Sequence, residues 1–227
     1  MKIISYNLRK HRAVGELARL IEEHGADVLC LQECDVSALP ERIDDLVLAD
    51  ATQGNRLGLA VYYRANTFRI RGIKAFGLKK SMHDRVLKPA HERLLGVVLE
   101  DIDDGHEFII GCFHAAPLTA LNSLRRNQIR AAIDELEELR PGAPVLMVGD
   151  YNYPVFKENL GQAVRDRGYV LTLSDDRTYT RYRVFKGHYD FATSDGFEIG
   201  SIRTLPQGAS DHRPILITAS VNPRVKA

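Results

Sequence analysis

Short apolar runs recur along the chain, and many of them end in a polar side chain. In one of them, residues 145–148 lead into Gly149 and Asp150, Asn152 follows, and Pro154 stops the run. An apolar run this short, without helical spacing, is typical of a buried strand. Asp150 and Asn152 are therefore expected where a sheet meets a loop, which is a usual location for functional groups. In isolation, the motif slightly favours an Asx-type turn in which the two residues merely cap the strand end.

The first part of the chain alternates a strand, a helix and a second strand. Residues 2–7 predict a strand, residues 14–24 carry apolar positions at helical spacing, and residues 28–31 predict a buried strand. This order favours a parallel βαβ unit. Asn7 and Glu33 end the two strands, and this pairing is a first indication of a site.

The rest of the pattern predicts a strand-rich protein with two more helices. Further strands are predicted at 57–63, 67–76, 94–99, 108–113, 144–149, 191–193, 197–205 and 215–218, and helices at 119–139 and 157–167. Short turns at residues 64–66 and 103–105 predict antiparallel hairpins. Residues 197–205 could pair with the strand before them. The basic segments 77–93 and 176–188 are predicted to be loops.

Composition limits the classes of protein that fit. The chain has 227 residues, 44% hydrophobic and 27% charged, which is ordinary for one soluble globular domain. Lys+Arg 31 against Asp+Glu 30 excludes a global nucleic-acid footprint but allows a local basic face. Three sparse cysteines indicate reduced thiols. Because neither a signal peptide nor an apolar run long enough to span a bilayer is evident, we expect a soluble, cytoplasmic protein.

Polar residues at predicted strand ends form the candidate chemistry. They are Asn7, Glu33, His114, Asp150 with Asn152, Asp190, and Asp211 with His212. Any one of them is explicable as turn chemistry. Together they supply the groups that metal-assisted phosphoester hydrolysis requires.

Two kinds of group are needed to bind the metal and to activate the water: oxygen ligands and a proton acceptor. Mg²⁺ prefers carboxylate and other oxygen ligands, and Glu33, Asn7 and Asp211 offer them. An attacking water needs a carboxylate to orient it or take its proton, and Asp150 is the candidate.

Donors to the phosphoryl group complete the set. The transition state of phosphoryl transfer spreads negative charge over several oxygens. Asn152, His114 and His212 could stabilise this charge. A histidine in this role is typically oriented by a carboxylate on its other ring nitrogen, which gives Asp190 a function beside His212.

Motifs in a fixed order carry a family resemblance. They are Tyr6-Asn7, Leu31-Gln32-Glu33, Phe113-His114, Gly149-Asp150-Tyr151-Asn152, Tyr189-Asp190-Phe191 and Ser210-Asp211-His212. This set resembles that of the endonuclease/exonuclease/phosphatase superfamily and extends from residue 6 to 214. Arg125-x-x-Gln128 and Thr178-Tyr179 resemble weaker signatures of the same superfamily.

The resemblance implies a fold, a cofactor and a mechanism. The fold is of the α/β (α+β) class, a four-layer αββα sandwich of two packed mixed β-sheets with helices outside, in one catalytic domain over residues 1–227. The expected cofactor is Mg²⁺ or Mn²⁺, and an activated water attacks without a covalent intermediate. No obligate protein partner is evident.

Carried over position by position, the resemblance also assigns roles. Glu33 is the principal metal ligand, and Asn7 and Asp211 lie near the metal or a second metal position. Asp150 and Asn152 position the nucleophile and phosphate, His212 paired with Asp190 contacts the scissile phosphate, and His114 donates to a phosphate oxygen. Arg9 and Arg93 resemble phosphate-binding arginines.

The substrate class stays open at this point. Arg9 stands where abasic-site nucleases typically have an acidic residue, and Leu57 lies near where the deoxyribonuclease I branch would have a glutamate supporting its first histidine. Arg9, Arg93 and the basic-aromatic segment 177–188 favour a nuclease acting on DNA or RNA. The alternatives are a phosphatase or phosphodiesterase on a lipid or sugar phosphate, and a catalytically silent binding module.

Overall fold

The elements of the fold follow the apolar runs. The computed structural model describes residues 1–55, 57–79, 91–153, 157–179 and 187–222. The strands are β1 Lys2–Asn7, β2 Val28–Cys34, β3 Arg42–Ile43, β4 Leu46–Ala51, β5 Gly58–Arg64, β6 Phe68–Gly77, β7 Glu92–Asp101, β8 Glu107–His114, β9 Val145–Asp150, β10 Val170–Leu173, β11 Asp190–Asp195, β12 Phe197–Thr204 and β13 Ile215–Val221. The helices are α1 Leu17–His24, α2 Asn122–Leu139 and α3 Lys157–Arg165, with short 3₁₀ turns at Val14–Glu16 and Val36–Ala38.

The strands form two mixed sheets. One is 7-stranded in the order β12-β13-β1-β2-β5-β4-β3, and the other is 6-stranded in the order β10-β11-β9-β8-β7-β6. β1 and β2 are parallel, as the βαβ pattern predicts, and β8 and β9 are parallel in the second sheet. The other described pairs are antiparallel.

Apolar side chains fill three layers between four structural layers. Residues such as Cys30 and Val148 form the core between the two sheets. α1 packs Leu17 against the outer face of the 7-stranded sheet, and α2 packs Ile129 against the outer face of the 6-stranded sheet. The αββα sandwich is therefore confirmed. Because β9 is buried on both faces, its sequence is a continuous apolar run without alternation.

Two predicted strand pairings are wrong. The 64–66 connection joins β5 in one sheet to β6 in the other, so only the 103–105 turn, of the two named, closes a hairpin. Residues 197–204 pair with β13 rather than with β11. A short polar turn has the same composition whether it joins neighbouring strands or crosses between sheets, so local sequence cannot separate these cases.

Some predicted boundaries and elements also differ. β3, β4 and β10 have no counterpart in the predicted strands, and β10 lacks a fully buried face. β7 begins at Glu92, inside the predicted loop 77–93. Residues 80–90 of that loop and 180–186 of the loop 176–188 lie outside the described residues.

Gly149 is required by the backbone that brings β8 and β9 together. It has φ +149°, and a Cβ at this position would lie 1.9 Å from the carbonyl oxygen of Phe113. We expect Gly149→Ala to lower the free energy of unfolding by about 3 kcal/mol, because it adds both strain and a backbone clash. Urea denaturation measures this loss.

Gly105→Ala is the matched control for this prediction. Gly105 has φ +71°, and nothing lies within 4 Å of the added Cβ. The free energy of unfolding of this variant should therefore fall by only about 1 kcal/mol, the cost of placing alanine in a left-handed backbone conformation. Equal losses in the two variants would contradict the assignment of the Gly149 effect to close packing.

Candidate active site

Neighbouring strands bring the predicted site residues to one edge of the sandwich. On the 6-stranded sheet, Asp150 is paired in register with His114 on one side and with Asp190 on the other. Asn7 ends β1 on the other sheet, and its Nδ2 donates to Asp150 Oδ2 at 3.0 Å. This hydrogen bond joins the two sheets, so the site spans both of them.

Asp150 is the centre of this network. Its side chain accepts hydrogen bonds from Asn7 Nδ2, from Asn152 Nδ2 at 3.2 Å and from the backbone N–H of Asn152 at 2.9 Å. The ring nitrogens Nε2 of His114 and His212 each lie 3.6 Å from Asp150 Oδ2. Burial, together with the negative charge of Asp190, raises the pKa of Asp150 despite the two histidines. A carboxylate in this state is a better proton acceptor than an exposed one.

His212 and Asp190 form a buried pair. His212 Nδ1 lies 2.8 Å from Asp190 Oδ2, and Thr178 Oγ1 accepts the backbone N–H of Asp190 at 3.1 Å. Burial alone would lower the pKa of His212, but the charges of Asp190 and Asp150 outweigh it and raise the pKa to about 10. His212 is therefore a cation near neutral pH, and both of its ring nitrogens carry a proton.

His114 is the electrostatic opposite of His212. Burial, opposed by Asp150 and reinforced by Arg93 and His212, lowers the pKa of His114 to about 4. Its imidazole is therefore neutral near pH 7, with one nitrogen donating and one accepting. The carboxylate that His114 Nε2 faces is Asp150, at 3.6 Å.

A strained turn places Arg9 at the rim. Arg9, Lys10 and His11 have φ of 48°, 56° and 66°, and Glu33 has φ of 55°. The backbone N–H of Lys10 donates to Glu33 Oε2 at 2.9 Å, and that of Arg9 to Asn7 Oδ1 at 3.0 Å. Such strain often accompanies functional sites. The structure thus places the Glu33 carboxylate against this turn, one residue after Gln32, which is paired in register with Asn7.

Arg9 and Arg93 differ in their surroundings. Arg9 Nε lies 3.5 Å from Asp211 Oδ2, and both side chains retain some exposure. Arg93 is buried, and its Nη1 donates to the carbonyls of His114 and Ala115 at 3.0 and 2.8 Å. Arg93 therefore supports the loop after β8, and its contact with a substrate phosphate stays a prediction.

Residues of the weaker signatures hold the same loop. Gln128 Oε1 accepts the backbone N–H of Ala116 at 2.8 Å, and Arg125 Nη1 donates to the carbonyl of Pro117 at 2.7 Å. Asn152 Nδ2 lies 3.5 Å from the carbonyl of Ala115. The helix α2 thus supports the backbone beside Asn152, a role that the spacing Arg-x-x-Gln does not reveal by itself.

The described residues include one cluster with metal-ligand geometry. It consists of Asp150, Asp190 and His212, whose ligand atoms lie within 4.8 Å of one another. Within this cluster, His212 Nδ1 and Asp190 Oδ2 already lie at hydrogen-bond distance, 2.8 Å apart. The predicted ligands Glu33, Asn7 and Asp211 lie outside this cluster; their side-chain oxygens are of the type that Mg²⁺ and Mn²⁺ prefer.

Comparison with known proteins identifies the class to which this fold and site belong. The family model for the endonuclease/exonuclease/phosphatase family matches residues 4–212. The chain belongs to this family, and its chemistry is hydrolysis of phosphoester bonds. No curated protein matches the sequence closely.

Solved structures with the same fold differ widely in sequence. The mannosyl-6-phosphatase Bt3783 of Bacteroides thetaiotaomicron is 16% identical with a TM-score of 0.77, and the match covers 97% of this chain and 99% of that one. The catalytic domain of human Nocturnin, with bound sulfate, is 15% identical with a TM-score of 0.77 and coverages of 97% and 94%. TDP2 of D. rerio, complexed with a single-strand DNA product, is 15% identical with a TM-score of 0.77 and coverages of 97% and 99%. At these identities the similarity shows the fold alone.

Proposed function

We propose that the chain is a Mg²⁺- or Mn²⁺-dependent phosphodiesterase that cleaves DNA or RNA by attack of an activated water. The observation that carries this proposal is the placement of Asp150. It is 1% exposed, has a raised pKa, and lies between amide donors and two histidines drawn from both sheets. These are the groups that in-line attack on a phosphate requires.

Asp150 is the proposed proton acceptor. Asn7 and Asn152 fix its carboxylate by hydrogen bonds of 3.0 and 3.2 Å, so that its orientation is set before substrate binds. Proton transfer to Asp150 turns the attacking water into a nucleophile. Its raised pKa makes this transfer more favourable near neutral pH.

The two histidines are the proposed donors to the phosphoryl oxygens. His212, held as a cation by Asp190, stabilises the negative charge of the transition state. Neutral His114 donates a hydrogen bond without adding charge. Glu33, Asn7 and Asp211 would hold the divalent metal, which would supply Lewis-acid chemistry to a phosphoryl oxygen.

Basic residues at the rim support nucleic acid as the substrate. Arg9 and the exposed Lys10 and Arg12 lie on the turn that follows Asn7. Cations next to a scissile phosphate favour a polyanion that carries further phosphates. D. rerio TDP2, which has the same fold, was solved in complex with a single-strand DNA product, and this supports the proposal.

A phosphorylated sugar or lipid is the second candidate substrate. The formal net charge of the chain is only +1, which gives no general attraction to a polyanion. Bt3783, which has the same fold, is a mannosyl-6-phosphatase.

Among the described residues, the helices are too short or too polar to cross a bilayer. We propose a cytoplasmic location and no obligate protein partner.

Hydrolysis assays test the function directly. The protein is incubated with Mg²⁺ or Mn²⁺ and, in parallel, with supercoiled plasmid, single-stranded RNA, bis-p-nitrophenyl phosphate and p-nitrophenyl phosphate, each with and without EDTA. Metal-dependent cleavage of nucleic acid is the expected result. Cleavage of the small esters alone would favour the sugar or lipid phosphate. Absence of hydrolysis throughout would refute the enzyme assignment.

The metal assignment predicts a changed Mg²⁺ requirement in Glu33 variants. Glu33→Ala should raise the Mg²⁺ concentration for half-maximal activity about 10-fold or more, because it removes a carboxylate ligand. Glu33→Gln removes the charge but keeps an oxygen that can accept the N–H of Lys10. We expect both variants to need more Mg²⁺, as measured by metal titration of activity.

Exposed Glu23 on α1 provides the control for these variants. Its side chain is 53% exposed, and Glu23→Ala should leave the requirement unchanged. If Glu33→Gln behaves like wild type and only Glu33→Ala is impaired, then Glu33 supports the turn and does not bind the metal.

A further inference from the structure

Glu16 joins the first strand to the loop that carries Asp211 and His212. It is the last residue of the 3₁₀ turn Val14–Glu16 and is far from that loop in the sequence. Its Oε2 accepts the hydroxyl of Tyr6 at 2.9 Å, and its Oε1 accepts the backbone N–H of Ala209 at 2.6 Å. One carboxylate therefore ties two segments together across 193 residues of sequence.

The loop approaches Glu16 so closely that a side chain at position 208 would displace the Glu16 carboxylate. A Cβ on Gly208 would lie 2.0 Å from Glu16 Oε2 and 2.7 Å from Oε1. Tyr6 is fully buried, and the Glu16 carboxylate is the acceptor for its hydroxyl.

Contacts further along the loop lead from Glu16 to the candidate active site. Ser210 Oγ donates to the carbonyl of Asn7 at 2.6 Å and accepts the backbone N–H of His212 at 3.1 Å. Asp211 lies 3.5 Å from Arg9, and His212 Nδ1 lies 2.8 Å from Asp190. Gly208 and Ala209 are themselves exposed, so the ion–amide contact with Glu16 fixes the start of a loop that would otherwise face solvent.

We infer that Glu16 is a positioning residue, which sets the location of Asp211 and His212 by holding the backbone of Gly208 and Ala209. The inference rests on the proposed function, because His212 is assigned there to the phosphoryl group. Glu16 itself does not touch the reacting atoms. A displacement of about 1 Å at a catalytic group can lower the rate about 100-fold.

Variants of Glu16 test this role through activity. Glu16→Ala should lower kcat about 10-fold to 100-fold with little change in KM, because it releases the loop without removing a substrate contact. Glu16→Gln should stay within about 3-fold of wild type, because its amide oxygen still accepts the N–H of Ala209. Gly208→Ala should reproduce the loss of Glu16→Ala by displacing the carboxylate. Glu23→Ala is the control.

A spectroscopic measurement tests the same role without any substrate. The Nδ1 proton of His212, hydrogen-bonded to Asp190, is expected as a downfield NMR resonance, assigned by its absence in His212→Gln. Glu16→Ala should weaken or shift this resonance, and Glu16→Gln should restore it. If wild type hydrolyses nothing, the proposed function fails while this resonance still tests the positioning role.

Two results would overturn the inference. One is a folded Glu16→Ala variant with wild-type kcat and an unchanged His212 resonance. The other is an equal loss in Glu16→Gln and Glu16→Ala accompanied only by a lower melting temperature, which would indicate a purely structural contact. If Glu16→Ala does not fold, Glu16→Asp keeps the charge but shortens the reach, and an unchanged kcat and resonance in that variant would also overturn the inference.

Discussion

Asp150→Ala is expected to lower kcat about 1,000-fold or more, since it removes the group that accepts the proton of the attacking water. The variant should still fold, because the apolar run of β9 packs on both faces independently of its last side chain. The rate is measured by the formation of nicked plasmid or by the release of p-nitrophenolate, and circular dichroism checks the fold.

Asp150→Asn separates basicity from hydrogen bonding. The asparagine has the same shape, and its carbonyl oxygen can still accept the amide of Asn7. It should lose nearly as much activity as Asp150→Ala while keeping more stability, because fewer buried donors are left unpaired. If Asp150→Asn retained a tenth of the wild-type rate, Asp150 would not be the general base.

Asp190→Asn is expected to lower kcat about 100-fold to 10,000-fold, because the orienting charge beside His212 is lost. Without that charge, the pKa of His212 should fall from about 10 toward its ordinary value. The alkaline limb of the pH–rate profile should therefore move to lower pH in the variant. Asp195→Asn, at the other end of β11, is the control and should leave the profile unchanged.

The same pair predicts how stability depends on pH. Because folding raises the pKa of His212 to about 10, the stabilisation is fully present below the unfolded pKa, about 6.5, and is lost as the pH rises toward 10. The free energy of unfolding of wild type should fall over this range. Asp190→Asn should flatten that fall, and an identical pH dependence in the two proteins would contradict the ion pair.

The sequence predicts those parts of the fold that depend on local pattern. β9 is identifiable because burial on both faces demands an apolar run, and the parallel pair β1–β2 follows from a strand, a helix and a strand in succession. The local pattern does not reveal which strand belongs to which sheet. Residues 64–66 resemble a hairpin turn, yet they connect β5 to β6 in the opposite sheet.

The positions of the candidate site residues at strand ends were predictable, but their mutual contacts were not. The hydrogen bond between Asn7 and Asp150 joins residues 143 positions apart and depends on how the sheets pack. The contact of Glu16 with Ala209 depends on a close backbone approach that a lone glutamate near a helix start does not signal. Roles of individual residues remain predictions for the variants above.

The order of strands has a consequence for how the catalytic machinery is divided. β6 to β11 form the 6-stranded sheet from one continuous stretch of chain, whereas the 7-stranded sheet combines the strands before and after it. Asn7, Glu33 and the 208–212 loop therefore belong to one half, and His114, Asp150 and Asp190 to the other. In the proposed roles, the metal ligands lie on one half and the proton acceptor Asp150 on the other, and the contacts Asn7–Asp150 and His212–Asp190 link the two halves. A small shift of one sheet against the other would therefore alter both contacts at once.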